Sequence, residues 1–96
     1  MRIIGRIPHP VLQITVFAND GRFPVQFERD GLSQIYRFRQ SEQLKSLADV
    51  QKLVNEDLIK SVLDQFSVMR AAHSRALNTF APPEALTETD GLPDII

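Results

Sequence analysis

The side chains able to do chemistry are few. Two histidines, twelve acids and no cysteine are spread over 96 residues. His9 stands between Pro8 and Pro10, and His73 falls in the middle of an apolar helical stripe. A zinc site needs three or four ligands converging at fixed spacing, and neither histidine has an H-x-x-x-H or H-x-x-E neighbour. His73 therefore reads as a packed or interfacial histidine, and no metal is expected. The lack of cysteine excludes disulfides, thiolate nucleophiles and zinc-thiolate centres. Glu56, Asp57 and Asp64 read as solvated helix acids, the first two at a helix start, where the dipole favours them. The serines and threonines have no base within reach of a recognisable pattern. No phosphate-cradling glycine loop or nucleophile elbow occurs. No cofactor is expected, and the chain does not read as an enzyme.

One basic grouping remains. Arg22, Arg37 and Arg39 can share a surface with Phe17, provided the strands pair in one particular register. Guanidinium groups attract phosphates and an exposed aromatic stacks on bases, which is how single-strand nucleic-acid surfaces are built.

The register comes from two Asp-Gly pairs, Asp20-Gly21 and Asp30-Gly31, each flanked by alternating apolar and polar residues. Asp-Gly suits a two-residue type I′ turn, which needs positive φ at both central positions. The first turn sets Val16 against Val25 and Ile14 against Phe27. The second sets Phe27 against Gln34, Val25 against Tyr36 and Phe23 against Phe38. Opposed residues share a face. Leu12, Ile14, Val16, Ala18, Phe23, Val25, Phe27, Tyr36 and Phe38 therefore form one apolar surface, with Gln34 its one polar exception. A slip of one residue would mix polar with apolar. The opposite, open face carries Gln13, Thr15, Phe17, Arg22, Pro24, Gln26, Glu28, Ser33, Ile35, Arg37 and Arg39. Pro24 falls in a central strand where its missing N–H should point at the first strand, so a bulge or wider loop is expected near Asn19 to Pro24.

Arg2 to Ile7 reads as a short strand that either adds to the meander as a fourth strand or pairs with another copy. Gln40 to Ser46 is a polar connection with room for a helical turn at Ser41 to Leu44. Ser46 and Asp49 form a capping-box pattern, and Asn55-Glu56-Asp57 a second helix start. A helix over 47–54, a kink or break at Asn55 and a long helix over 56–80 follow. The long helix sets Leu58, Ile59, Val62, Leu63, Phe66, Met69, His73, Ala76, Leu77 and Phe80 in one stripe. At 1.5 Å per residue it outruns strands of seven or eight residues. Met69, His73, Leu77 and Phe80 are thus expected to need a cover beyond the sheet, most simply a second copy.

The expected fold class is α+β: a three- or four-stranded antiparallel meander with one face covered by a long, kinked C-terminal helix. Residues 1–80 form one domain and 81–96 a flexible tail containing proline and acids. Net charge is −1. It is unevenly spread: residues 1–45 hold seven bases and four acids, the rest four bases and eight acids. No stretch has the length of a membrane span or the apolar run of a signal peptide, so a soluble cytoplasmic protein is expected. The expected function is non-catalytic interaction or assembly, as a small homodimer or with a protein partner. The alternative is single-stranded nucleic-acid binding by Phe17, Arg22, Arg37 and Arg39. A more remote third reading is a small-molecule pocket between sheet and helix near Gln34, Tyr36 and His73.

The opening Ile4-Gly5-Arg6-Ile7-Pro8-His9-Pro10, followed by Gln13-Ile14-Thr15-Val16-Phe17, resembles a group of small bacterial proteins that begin I-G-x-I-P-H-P. Asp49-Val50 and Leu53-Val54-Asn55-Glu56-Asp57 are similar as well. The likeness spans about residues 3–70 and leaves out the tail. It implies a bacterial cytosolic origin and no particular mechanism.

Overall fold

Both Asp-Gly pairs form the turns that their composition dictates. The computed structural model describes residues 1–81. Within it Asp20 and Gly21 have φ of 53° and 81°, and Asp30 and Gly31 of 53° and 80°, the left-handed pair of a type I′ hairpin. Four strands follow in sequence order: β1 (Arg2–Ile7), β2 (Gln13–Ala18), β3 (Arg22–Arg29) and β4 (Leu32–Arg39). They make one antiparallel meander, β1-β2-β3-β4. Ile14 pairs with Phe27 and Val16 with Val25. Phe27 pairs with Gln34, Val25 with Tyr36 and Phe23 with Phe38. β1 is the fourth strand and lies on the β2 edge, with a bulge at Ile4. The fold is thus α+β, a four-stranded meander followed by helix.

Pro24 causes no bulge, contrary to expectation. Asn19 and Arg22 exchange backbone bonds of 2.9 and 3.1 Å across the first turn. The pairing then resumes at Val16 and Val25 with the same offset. The Phe17–Pro24 and Ala18–Phe23 rungs between them are missing, both next to the absent Pro24 N–H. One absent ladder bond costs about 1 kcal/mol. A shift of register would carry Phe23, Val25 and Phe27 out of the core, which costs far more.

The core lies on the predicted face. Leu12, Ile14, Val16, Phe23, Val25 and Phe27 are buried there, and Val50, Val54, Val62 and Phe66 complete it from the helices. The expected helical turn at Ser41 to Leu44 is instead a tight turn in which Ser41 and Leu44 exchange backbone bonds. It drops Leu44 into the core.

Rather than one kinked helix there are two, α1 (Leu47–Leu53) and α2 (Glu56–Phe80). Ser46 caps α1 through a complete capping box with Asp49. The Asp49 carboxylate also accepts from the Lys45 N–H at 2.9 Å. That backbone bond, helped by the Ser46 hydroxyl and N–H, holds the Asp49 carboxyl below its ordinary range. Asn55 caps α2, its Oδ1 accepting from the Leu58 N–H at 2.9 Å. α1 lies against β1 because Gly5 lets it. A Cβ at Gly5 would stand 2.6 Å from Leu47 Cδ2.

Two compact units divide the chain within α2. The first is Met1–Phe66 and holds the sheet, α1 and the start of α2. The second begins at Ser67. The tail expected over 81–96 falls, apart from Ala81, outside the described residues.

Candidate functional site

The helical candidates Met69, His73, Leu77 and Phe80 all lie in the second unit, on one continuous helix. Met69 is half-buried, and every residue from Ala71 to Phe80 is exposed. Leu77 is 54% and Phe80 88% exposed. The apolar residues recur more regularly than a general stripe requires. Ile59, Val62, Phe66, Met69, His73, Ala76 and Phe80 follow one another at alternating steps of three and four. This is the spacing of the a and d positions in a coiled coil, with His73 as its one polar member. Val62 and Phe66 are buried within the first unit. Met69 is half-buried, and from His73 onward the same positions are exposed. Beside them Ala72 and Ala76 leave a shallow groove, edged by Arg75, Thr79 and Phe80.

The sheet candidates meet on the open face. Arg22 pairs with Arg39 and Pro24 with Arg37 across β3 and β4. Phe17, opposite Pro24 in the same offset, is half-buried. β1 adds two residues that the sequence left unassigned. Ile3 pairs with Phe17, and Arg6 with Thr15. Arg6 could have been placed had the bulge been recognised: Ile3-Ile4-Gly5 breaks the alternation of the strand, and the bulge restores Arg6 to the open side. The face is less wet than expected, because Thr15 and Pro24 are buried at its centre.

Gln34 and Tyr36, considered as pocket lining, are engaged within the first unit. Gln34 is buried, and its Nε2 donates to the Val62 carbonyl of α2 at 2.9 Å. The Tyr36 hydroxyl donates to Gln34 Oε1. Both polar groups are thus satisfied within the core, and His73 is exposed. A different hollow lies at the far end of the sheet, where Gln13, Glu28 and Ser33 form one polar row beside the Asp30-Gly31 turn. There Arg29 lies 3.6 Å from Asp30, its side chain about one third exposed.

His9 has a structural task. Its Nδ1 accepts from the N–H groups of Val11 and Leu12, both at 3.2 Å. The imidazole therefore carries its proton on Nε2. It closes the loop between β1 and β2, where two prolines supply no donors. Among the described residues no three His, Asp or Glu side chains group as metal ligands. No described helix is long and apolar enough to cross a membrane. Comparison with protein-family models, with curated proteins and with solved structures finds no match.

Proposed function

We propose that this protein is a non-catalytic assembly module that pairs with a second copy of itself through the bare half of α2. The observation that carries the reading is the heptad spacing from Met69 to Phe80, helical, with Met69 half-buried and His73, Ala76 and Phe80 exposed. Short helices without a packed face are marginal in water, so a partner helix would add what this segment lacks.

The pattern suits a second copy in antiparallel orientation. With a two-fold axis between Ser74 and Arg75, Met69 faces Phe80, His73 faces Ala76 and Ala72 faces Leu77. Each large side chain then meets a smaller or flexible one, as knobs-into-holes packing requires. The same patch serves both copies, as in any isologous dimer. Covering Met69, Ala72, Ala76, Leu77 and Phe80 is worth about 5 kcal/mol per copy. After an association cost of at least ~4 kcal/mol, about 6 kcal/mol remains, a dissociation constant of tens of micromolar.

Static light scattering tests the reading. Wild-type protein at about 200 μM, above that constant, should show a weight-average mass of about 1.7 times the monomer. Leu77→Glu with Phe80→Glu should return it to the monomer. A wild type that stays monomeric overturns the proposal.

A further inference from the structure

We propose that the open face of the sheet is a binding surface for single-stranded nucleic acid, with Arg6 and Ile3 of β1 as part of it. Three adjacent cross-strand rows carry Arg22–Arg39, then Ile3–Phe17–Pro24–Arg37, then Arg6–Thr15–Gln26–Ile35. These rows hold four arginines and no acid. The first acid, Glu28, comes in the next row, between Gln13 and Ser33. Among the described residues none of the four arginines has an ion-pair partner.

The Arg22–Arg39 pair is the most telling. The Gln40 N–H donates to the Gly21 carbonyl at 3.0 Å, so the neighbouring Arg22–Arg39 pair is of the non-hydrogen-bonded kind. Side chains stand closest in such pairs, and like charges placed there destabilise a sheet. An anion between the two guanidinium groups removes that repulsion. Arg37 lies one pleat further along β4 on the same side, a third cation in line with the first two.

Apolar groups lie between the charges. Ile3 is 50% and Ile35 45% exposed, and Phe17 is half-exposed beside the buried Pro24. A simple inorganic anion has no use for these. A polyanion with flat apolar faces uses both, with phosphates on the arginines and bases on Phe17, the isoleucines and the guanidinium planes. A duplex buries its base faces and would meet only the charges.

The test is fluorescence anisotropy with the full chain and a labelled oligothymidylate of about 20 nucleotides, the same sequence as a duplex, and unlabelled polyglutamate as competitor. Engaging four phosphates gives a slope of log K against log salt near −3. Affinity should then fall about fiftyfold between 50 and 200 mM salt. Arg37→Gln with Arg39→Gln should lower that slope in magnitude by about 1.4. Phe17→Ala should weaken binding at least fivefold and leave the slope unchanged, the mark of stacking. Lys52→Gln, which removes a charge from α1, should change neither. All variants are checked for native circular dichroism. No anisotropy change at 50 mM salt and about 100 μM protein, a concentration at the weak end of non-specific affinities, overturns the proposal. Equal affinity for duplex, with Phe17→Ala indifferent, also overturns it. So does polyglutamate that competes as well as the oligonucleotide, which would assign the face to an acidic protein.

Discussion

Gln34 is the one polar residue that the meander register forces onto the apolar face, and it joins β4 to α2. Its amide makes two bonds, to the Val62 carbonyl at 2.9 Å and from the Tyr36 hydroxyl. Truncation to alanine removes both bonds, about 1 kcal/mol each. It also removes one methylene and leaves the space of the amide, about 1 kcal/mol more. Gln34→Ala should therefore cost about 3 kcal/mol, a fall in Tm of roughly 12–24 °C for a domain this size. Gln34→Met keeps the volume and loses only the bonds. It should cost about 1–2 kcal/mol, because the Val62 carbonyl keeps its helical partner and the half-buried Tyr36 hydroxyl can turn to water. Tyr36→Phe should cost a similar amount, since it leaves Gln34 Oε1 buried without its donor. The double variant Gln34→Met/Tyr36→Phe should cost about 1 kcal/mol less than the sum, because one bond is counted twice. Urea unfolding followed by far-UV circular dichroism, all at one protein concentration so that self-association is held constant, reads these differences. A Gln34→Met protein as stable as wild type, or singles that add without coupling, would refute the reasoning.

Two further outcomes follow from local geometry. His9→Phe should destabilise the protein by about 1–2 kcal/mol in the same urea assay, and His9→Asn should recover most of this, because Asn Oδ1 can replace Nδ1 as acceptor for Val11 and Leu12. The Asp49 carboxyl is held below its ordinary value in the fold, so its contribution is present above the unfolded pKa and lost as the pH falls through the folded one. The stability gap between wild type and Asp49→Asn should be full at neutral pH and shrink below pH 3.8, as thermal melts across that range would show.

The sheet was legible in the sequence because two independent turns gave one register, and burial follows it on the apolar face from Leu12 to Phe27, while Thr15 and Pro24 are buried on the other. The caps at Ser46 and Asn55 were legible for a similar reason: each satisfies identifiable N–H groups locally. Pro24 misled because a proline was weighed by its lost bond alone, without the larger cost of moving a buried face. The position of Arg6 was hidden by the bulge at Ile4, which depends on how β1 meets β2 and not on β1 itself. Gln34 looked like a lining residue for a pocket because its partner, a backbone carbonyl 28 residues away, leaves no trace in side-chain patterning. The bare seam of α2 was legible as a stripe. Its heptad spacing, and the small Ala72 and Ala76 that suit an antiparallel copy, emerge once the buried and exposed halves are told apart.

Sedimentation equilibrium over about 5 μM to 1 mM, a range that brackets the expected constant, tests the self-association most directly. The mass should rise from 10.9 kDa toward 21.8 kDa, twice that value, with a midpoint at tens of micromolar, and Leu77→Glu/Phe80→Glu should stay at 10.9 kDa throughout. A wild type that holds 10.9 kDa at the highest concentration, or a double variant that associates as the wild type does, would contradict the account.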